Sequence, residues 1–272
     1  MIEIRKHLRR FINFFKFFKI IFFNWIKKFN LRDIFKNFKP IYISSELGFT
    51  FLIKNKISNF DIDSTLVKSD LCMIGEKFGT DKSPYNKELH RQSYTSVYNL
   101  IFCSLRNKKI NFAEIGILNN ASIKMWREFF SQAIIYGFDF HEKFINKAKK
   151  DNLRDVNYIK INVKDSSSII NAFKKTNKKF DIIIDDSSHD FDDQINIIRE
   201  CCFFLKHGGL LIIEDIQKKN KKFSELMFDR KIVNEKKFFD FINFIDCNHL
   251  AKNSKGSNNS RILILARNNK KK

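Results

Sequence analysis

Residues Phe180–Gln194 read F-D-I-I-I-D-D-S-S-H-D-F-D-D-Q, and residues Leu205–Ile216 read L-K-H-G-G-L-L-I-I-E-D-I. Each stretch contains a short apolar run, which predicts strands at Asp181–Asp185 and Leu210–Glu214, and an apolar helical run joins the two. This order is typical of a β-α-β unit with parallel strands. The stretch therefore predicts an open parallel α/β sheet, in which ligands bind beyond the carboxyl ends of the strands.

Adjacent carboxylates close both strands: Asp185 and Asp186 end the first, and Glu214 and Asp215 end the second. If the strands are neighbours, Asp186, Glu214 and Asp215 converge, and three ionised carboxylates so close together need a cation between them. Oxygen ligands favour Mg²⁺, Mn²⁺ or Ca²⁺ over Zn²⁺. His189 is the nearby group that titrates around neutrality. The alternative interpretation is that these acids and the serines between them only cap the following helix.

Strands and helices alternate along the rest of the chain. Further apolar runs predict strands at Ile110–Ile117, Ala133–Phe140, Val156–Val163, Phe239–Asp246 and Arg261–Ala266. Helices are predicted at Ser122–Phe130, Glu142–Lys150, Ser167–Thr176 and Asp192–Lys206, the last of them ended by Gly208 and Gly209. This pattern predicts a Rossmann-like, doubly wound α/β domain with a seven-stranded sheet over residues 105–267. Residues 41–104 are predicted to form a cap or entry region, and residues 268–272 a disordered basic tail.

Residues 1–40 form a basic, aromatic segment. Its aromatic side chains recur at the spacing of one helical face: Phe11, Phe15, Phe18, Phe22, Trp25 and Phe29. This pattern predicts an N-terminal amphipathic helical extension. Two interpretations stay open, a helix lying on an anionic membrane surface and a helix packed on the protein body or on another subunit. The apolar run is too short to span a bilayer, and no cleavage site typical of a signal peptide follows it.

The formal net charge of the chain is +21 over 272 residues, which is compatible with nucleic acid or a membrane as partner. The chain has 32 Phe but only 8 Gly and 2 Pro, and this bias also follows from the codons of an AT-rich genome. The total charge therefore identifies no partner by itself. The five cysteines show no paired spacing and no Cys-x-x-Cys, which indicates a reduced, cytoplasmic protein without a zinc site. A membrane-binding N-terminal segment would make it peripheral on the cytoplasmic membrane face.

The first strand of the predicted sheet leads through Glu114-Ile115-Gly116 directly into a helix. Gly116 allows the backbone to approach a ligand closely. Asp139 ends the next strand, where an acidic residue can bind both hydroxyls of a ribose. The full G-x-G-x-x-G pattern is absent from this turn, which disfavours a dinucleotide and therefore an oxidoreductase. A cofactor with a single nucleoside and no pyrophosphate fits better.

Five short patterns follow each other in a familiar order: E-I-G, Asp139 at the second strand, D-D-S-S-H, L-K-H-G-G and E-D-I. In this order the chain resembles class I S-adenosylmethionine-dependent methyltransferases, and more closely the metal-dependent sugar O-methyltransferases of the macrocin/mycinamicin type. The resemblance covers about Gly75 to Arg267. It includes Gly79-Thr80-Asp81-Lys82 and Tyr94-x-x-x-Tyr98, which precede the sheet.

The resemblance implies a function and a set of site residues. Asp186, Glu214 and Asp215 would bind Mg²⁺, and His189 would act as the general base. The residues expected to bind S-adenosylmethionine are Glu114, Gly116, Asp139, Asn162, Asp165 and Asp185. The reaction implied is methylation of a hydroxyl on a sugar, in a sugar-containing small molecule, a glycosylated metabolite or a glycan precursor. The resemblance leaves a homo-oligomer open.

Two rival functions remain. A nucleic-acid methyltransferase would suit the basic charge, but the Asn/Asp-Pro-Pro-Tyr pattern of enzymes that methylate base nitrogens is missing, which makes nucleic acid a disfavoured partner. A membrane-associated protein that keeps a methyltransferase fold without catalysis is the second rival. The presence of both acidic pairs and of His189 argues against it.

Overall fold

A computed structural model describes residues 41–42, 50–51, 57–87, 90–253 and 260–268. Residues 1–40 lie outside the described residues, so the amphipathic helix and its membrane surface stay predictions. Within the described ranges, no helix combines the length and apolar character needed to cross a bilayer. Strands β1 (Ile41–Tyr42) and β2 (Thr50–Phe51) form a two-stranded antiparallel ladder with each other.

An eight-stranded sheet dominates the chain from residue 57 onward. Its strands are β3 (Ile57–Asp63), β4 (Asn111–Ile115), β5 (Ile134–Asp139), β6 (Val156–Lys160), β7 (Phe180–Asp185), β8 (Leu205–Ile213), β9 (Phe239–Asn248) and β10 (Arg261–Arg267). The α-helices around it are α1 (Asp70–Phe78), α2 (Tyr94–Phe102), α3 (Ala121–Phe129), α4 (Glu142–Lys149), α5 (Ser166–Thr176), α6 (Phe191–Cys201) and α7 (Glu225–Lys231).

The strand order is β3-β9-β10-β8-β7-β4-β5-β6. Strand β10 is antiparallel to both of its neighbours, and all other neighbouring pairs are parallel. The seven predicted strands all occur, and the doubly wound, Rossmann-like fold class is confirmed. Strand β3, which the sequence placed in the entry region, adds an eighth strand by pairing with β9.

The predicted end of one helix was wrong. Helix α6 ends at Cys201 instead of Lys206, and Gly208 and Gly209 lie inside β8. The two glycines serve the sheet there, because a Cβ on Gly209 would lie 2.9 Å from the carbonyl oxygen of Phe180. The β7–β8 register shifts at the same place, and glycine inside a strand commonly marks such a close approach of backbones.

Helices cover both faces of the sheet, and each face has its own apolar core. Helices α1 to α4 pack on one face, where Trp126 contacts the rings of Tyr98, Phe102, Phe112 and Phe130. Helices α5 to α7 pack on the other face. Burial on both faces explains why the central strands read as continuous apolar runs. This packing also places α2 beside the carboxyl end of β8.

Candidate active site

The register of the three central strands brings the predicted site residues to one edge. Ile115 lies opposite Asp185, which in turn lies opposite Ile213. The Asp186 amide donates to the Ile115 carbonyl at 2.8 Å, and the Glu214 amide donates to the Asp185 carbonyl at 2.9 Å. The residues that follow the three strands therefore stand level with one another at the carboxyl edge of the sheet.

Asp186, His189 and Asp215 form a compact group at this edge. One potential ligand atom from each lies within 4.8 Å of the others, and Nε2 of His189 is 3.4 Å from Oδ2 of Asp215. The pKa of Asp215 is raised to about 6, with burial as the largest cause; His189 opposes this rise and Asp186 adds to it. The two carboxylates fit an oxygen-preferring divalent cation, and the imidazole lies beside them.

Glu214, the third predicted metal ligand, lies deeper than this group. Its carboxylate accepts a hydrogen bond from the Tyr98 hydroxyl at 2.6 Å and lies 2.5 Å from the ammonium of Lys82. Burial raises its pKa well above the ordinary value, Lys82 opposes that rise, and Asp186 adds to it. Glu214 and Asp186 thus both contact the Lys82 ammonium. The role of Glu214 as a metal ligand stays a prediction.

Lys82 is the site residue whose role the sequence did not reveal. Its side chain is 2% exposed, and its ammonium lies 2.6 Å from Asp186, 2.5 Å from Glu214 and 3.3 Å from Glu114. Burial alone would lower the pKa of Lys82, but the carboxylates of Asp186, Glu214 and Glu114 raise it well above its ordinary value. The sequence feature that could have indicated this role is the Gly79-Thr80-Asp81-Lys82 pattern. In the structure, this pattern places the Lys82 ammonium among carboxylates.

Two tyrosines of α2 reach the acids that follow β8. The Tyr94 hydroxyl donates to Asp215 and the Tyr98 hydroxyl donates to Glu214, each at 2.6 Å. The spacing of four residues puts both rings on one helical face. Burial, and then the adjacent carboxylates, raise the pKa of both tyrosines well above the ordinary value. They therefore remain protonated donors that fix the orientation of Glu214 and Asp215.

A cavity of about 870 Å³ opens beside this group and extends along the ends of β4, β5 and β6. Gly116, Asp139 and Asn162 line it, together with Asp186 and His189. The exposed apolar side chains of Leu118 and Phe140 line it as well. A carboxylate and apolar side chains around a glycine turn fit an adenosyl group, which matches the cofactor expected from the sequence.

Asp139 is bound to the backbone that surrounds the cavity. Its carboxylate accepts hydrogen bonds from the amides of Ile117 at 3.0 Å, Leu118 at 3.3 Å and His141 at 2.7 Å. A carboxylate offers about four acceptor positions. Asp139 therefore holds the turn after β4 in place and keeps capacity for one further donor, such as a ribose hydroxyl.

Three of the predicted cofactor residues do not line the cavity. Glu114 is buried behind it, accepts from Ser122 at 2.8 Å and has its pKa raised to about 7, chiefly by burial. Asp185 is buried and accepts from the Ser187 hydroxyl at 2.6 Å. Asp165 is exposed and caps α5 through the Ser167 amide. Their contacts in the described chain support the loops around the cavity, and a direct role in cofactor binding stays a prediction.

Gly116 and Gly79 provide a matched test of how closely the turn after β4 approaches the Asp186 backbone. Both have positive φ, +91° and +69°, but a Cβ on Gly116 would lie 2.1 Å from the Asp186 carbonyl oxygen, whereas a Cβ on Gly79 would meet nothing within 4 Å. We expect Gly79→Ala to cost about 1–2 kcal/mol through the left-handed backbone. Gly116→Ala should cost about 1–3 kcal/mol more through overpacking. Urea unfolding of both variants measures the difference, and equal losses would contradict the close approach.

A family model described as a methyltransferase domain matches residues 119–264, which is more than half of the chain. The chain belongs to the methyltransferase domain family. The match includes the cavity-lining residues from Asn119 onward and the acidic residues at the ends of β7 and β8. Both rival functions, nucleic-acid methylation and a non-catalytic membrane role, would therefore use a methyltransferase fold.

Similar proteins include two curated sugar-related methyltransferases. An "8-demethyl-8-(2-methoxy-alpha-L-rhamnosyl)-tetracenomycin-C 3'-O-methyltransferase" of Streptomyces olivaceus is 28% identical over 130 residues, covering 45% of this chain and 32% of the relative. A "Mycinamicin VI 2''-O-methyltransferase" of Micromonospora griseorubida is 29% identical over 157 residues, covering 55% of this chain and 36% of the relative. The methyltransferase described here thus matches about a third of the length of these relatives.

A solved structure shares the fold of this methyltransferase. It is the MycE methyltransferase from the mycinamycin biosynthetic pathway in complex with Mg, SAH and mycinamycin VI, with a TM-score of 0.55 and 19% sequence identity. The likeness covers 74% of this chain and 55% of that chain. It confirms the methyltransferase architecture of the sheet and its helices.

Proposed function

We propose that this methyltransferase transfers a methyl group from S-adenosylmethionine to a hydroxyl of a sugar, assisted by a divalent cation. The observation that carries the proposal is the group formed by Asp186, His189 and Asp215 at the mouth of the cavity beside Gly116. Two carboxylates that could bind a cation, an imidazole that could act as a base and a cavity that could hold the cofactor lie there at one sheet edge. The reaction needs all three within reach of one acceptor oxygen.

The cofactor would lie along the ends of β4 and β5. Gly116 would let its methionine part approach the backbone, Asp139 would accept from the ribose, and Leu118 and Phe140 would cover apolar surface. The MycE structure contains SAH, and the named relatives are methyltransferases. These likenesses support S-adenosylmethionine as the methyl donor.

The cation would be held by Asp186 and Asp215, with Glu214 as a third candidate. When bound there, Mg²⁺ would supply Lewis-acid assistance that lowers the pKa of an adjacent hydroxyl. Asp215 faces Nε2 of His189 at 3.4 Å, which favours a proton on that nitrogen and leaves Nδ1 to accept the proton of the acceptor hydroxyl. Tyr94 holds Asp215 in position for this pairing, and the remaining acceleration comes from alignment of acceptor and methyl group.

The names of the relatives support one class of acceptor. The Streptomyces olivaceus relative is named for a rhamnosyl group on tetracenomycin, and MycE is in complex with mycinamycin VI. We therefore favour a sugar on a small molecule over a glycan precursor as the acceptor. Self-association and a peripheral membrane location through residues 1–40 stay predictions.

Methyl transfer from radiolabelled S-adenosylmethionine to a panel of glycosides tests the proposal. We expect label on sugar hydroxyls, loss of turnover with EDTA, and recovery when excess Mg²⁺ is added. An Asp186→Asn variant should stay slow even with Mg²⁺, because it lacks a ligand. Undiminished turnover in EDTA would refute the role of the cation, and transfer to RNA but to no glycoside would favour the nucleic-acid alternative.

A further inference from the structure

Lys82 has no role in the proposed transfer, yet it occupies the centre of the acidic cluster. Its ammonium lies 2.6 Å from Asp186, 2.5 Å from Glu214 and 3.3 Å from Glu114. The three carboxylates come from the ends of β4, β7 and β8, which are adjacent in the sheet. One charge from outside the sheet thus joins three neighbouring strand ends.

The backbone of Lys82 is fixed as firmly as its side chain. Its carbonyl accepts hydrogen bonds from the amides of Tyr94 and Thr95 at the start of α2, both at 3.1 Å. The same helix supplies the hydroxyls that bind Asp215 and Glu214. Lys82 and α2 therefore contact the same group of acids, and their backbones are joined to each other.

The charges around Lys82 do not balance. Glu114, Asp186 and Glu214 carry three negative charges when ionised, and Asp215 lies beside Asp186 as a fourth. One ammonium offsets a single charge, which leaves a net negative site for a divalent cation. The Lys82 ammonium, 2.6 Å from Asp186, would also repel a divalent cation bound to that carboxylate, because like charges repel strongly where water is excluded.

We propose that Lys82 is a positioning residue that holds Asp186 and Glu214 together before a divalent cation binds and that weakens the binding of that cation. The proposal rests on the proposed function, since it requires a divalent cation at Asp186 and Asp215. A tethered ammonium keeps the ligands assembled when the site is vacant. The cation that joins them is then bound less tightly and exchanges more readily.

Calorimetric titration of Mn²⁺ into the metal-stripped full-length chain tests this. Lys82→Met removes the repelling charge. We therefore expect the dissociation constant for Mn²⁺ to fall at least about ten-fold relative to the natural chain. At pH 8, above the pKa of about 7 to which burial raises the Glu114 carboxyl, Glu114→Gln removes a negative charge without removing a predicted metal ligand, so Mn²⁺ should bind more weakly. The double variant Lys82→Met/Glu114→Gln has the net charge of the natural site and should bind with an affinity close to it.

The comparison remains decisive if Lys82→Met alone fails to fold, because the double variant must bind Mn²⁺ more tightly than Glu114→Gln. Equal or weaker binding on removal of Lys82 in either background would overturn the proposal. Failure of the proposed function is a separate result. It would appear as no Mn²⁺ binding by the natural chain, or as binding that Asp186→Asn and Asp215→Asn leave unchanged.

Discussion

The His189→Asn variant is expected to turn over about 10²–10⁴-fold more slowly than the natural chain, which is the usual contribution of a general base. S-adenosylmethionine should bind to it with unchanged affinity, because the cofactor would contact the turn after β4 and Asp139. Asparagine is the informative substitution, since His189 has a φ of +57° and asparagine tolerates that conformation better than most residues. Single-turnover rates at saturating cofactor measure the loss directly.

His207→Asn provides the control for this loss. His207 lies near the start of β8, at the other end of that strand from Glu214, and its Nδ1 is 2.9 Å from the carbonyl oxygen of Asn268. Its turnover should match that of the natural chain. A His189→Asn variant with normal turnover would exclude His189 as the base. A variant whose melting temperature falls together with its turnover would assign His189 a structural role instead.

Much of the fold was predictable because its central strands are buried on both faces. Apolar runs such as Ile182–Ile184 and Leu210–Ile213 predict such strands directly, and the helices between them give the doubly wound order. Strand β3 was missed because its segment, I-S-N-F-D-I-D, is largely polar and lies at the edge of the sheet. Its partner β9 is far away in sequence, so no local pattern indicates the pairing.

The candidate site was predictable in its residue types but not in all of its side-chain directions. Adjacent residues at a strand end point to opposite sides. Sequence alone could therefore not show that Asp186 reaches the cavity while Asp185 turns to Ser187. The contact of Lys82 with Glu214 depends on packing between a loop and strand ends that are distant in sequence. The pattern around Lys82 was visible, but its physical role required the fold.

Lys82→Met is expected to destabilise the folded chain by about 3–5 kcal/mol in the absence of divalent cations. That is the usual cost when one partner of a buried ion pair is removed and the other stays buried and charged. Here three carboxylates would lose the ammonium that they share, and the Glu214 side chain is only 1% exposed. Guanidinium unfolding in EDTA measures the loss. Lys77→Met is the control, because Lys77 pairs with Glu128 at the surface, where such pairs contribute about 0–1 kcal/mol.

The destabilisation by Lys82→Met should also depend on pH. The pKa of Glu114 is already raised to about 7 and that of Glu214 well above its ordinary value, chiefly by burial, and loss of Lys82 raises both further. A carboxyl with a raised folded pKa stabilises the fold fully below its unfolded pKa, and that contribution is lost as the pH rises through the folded pKa. The difference in unfolding free energy between Lys82→Met and the natural chain should therefore widen from pH 5 to pH 8. A constant difference over this range would mean that Lys82 stabilises the fold by packing and not by its charge.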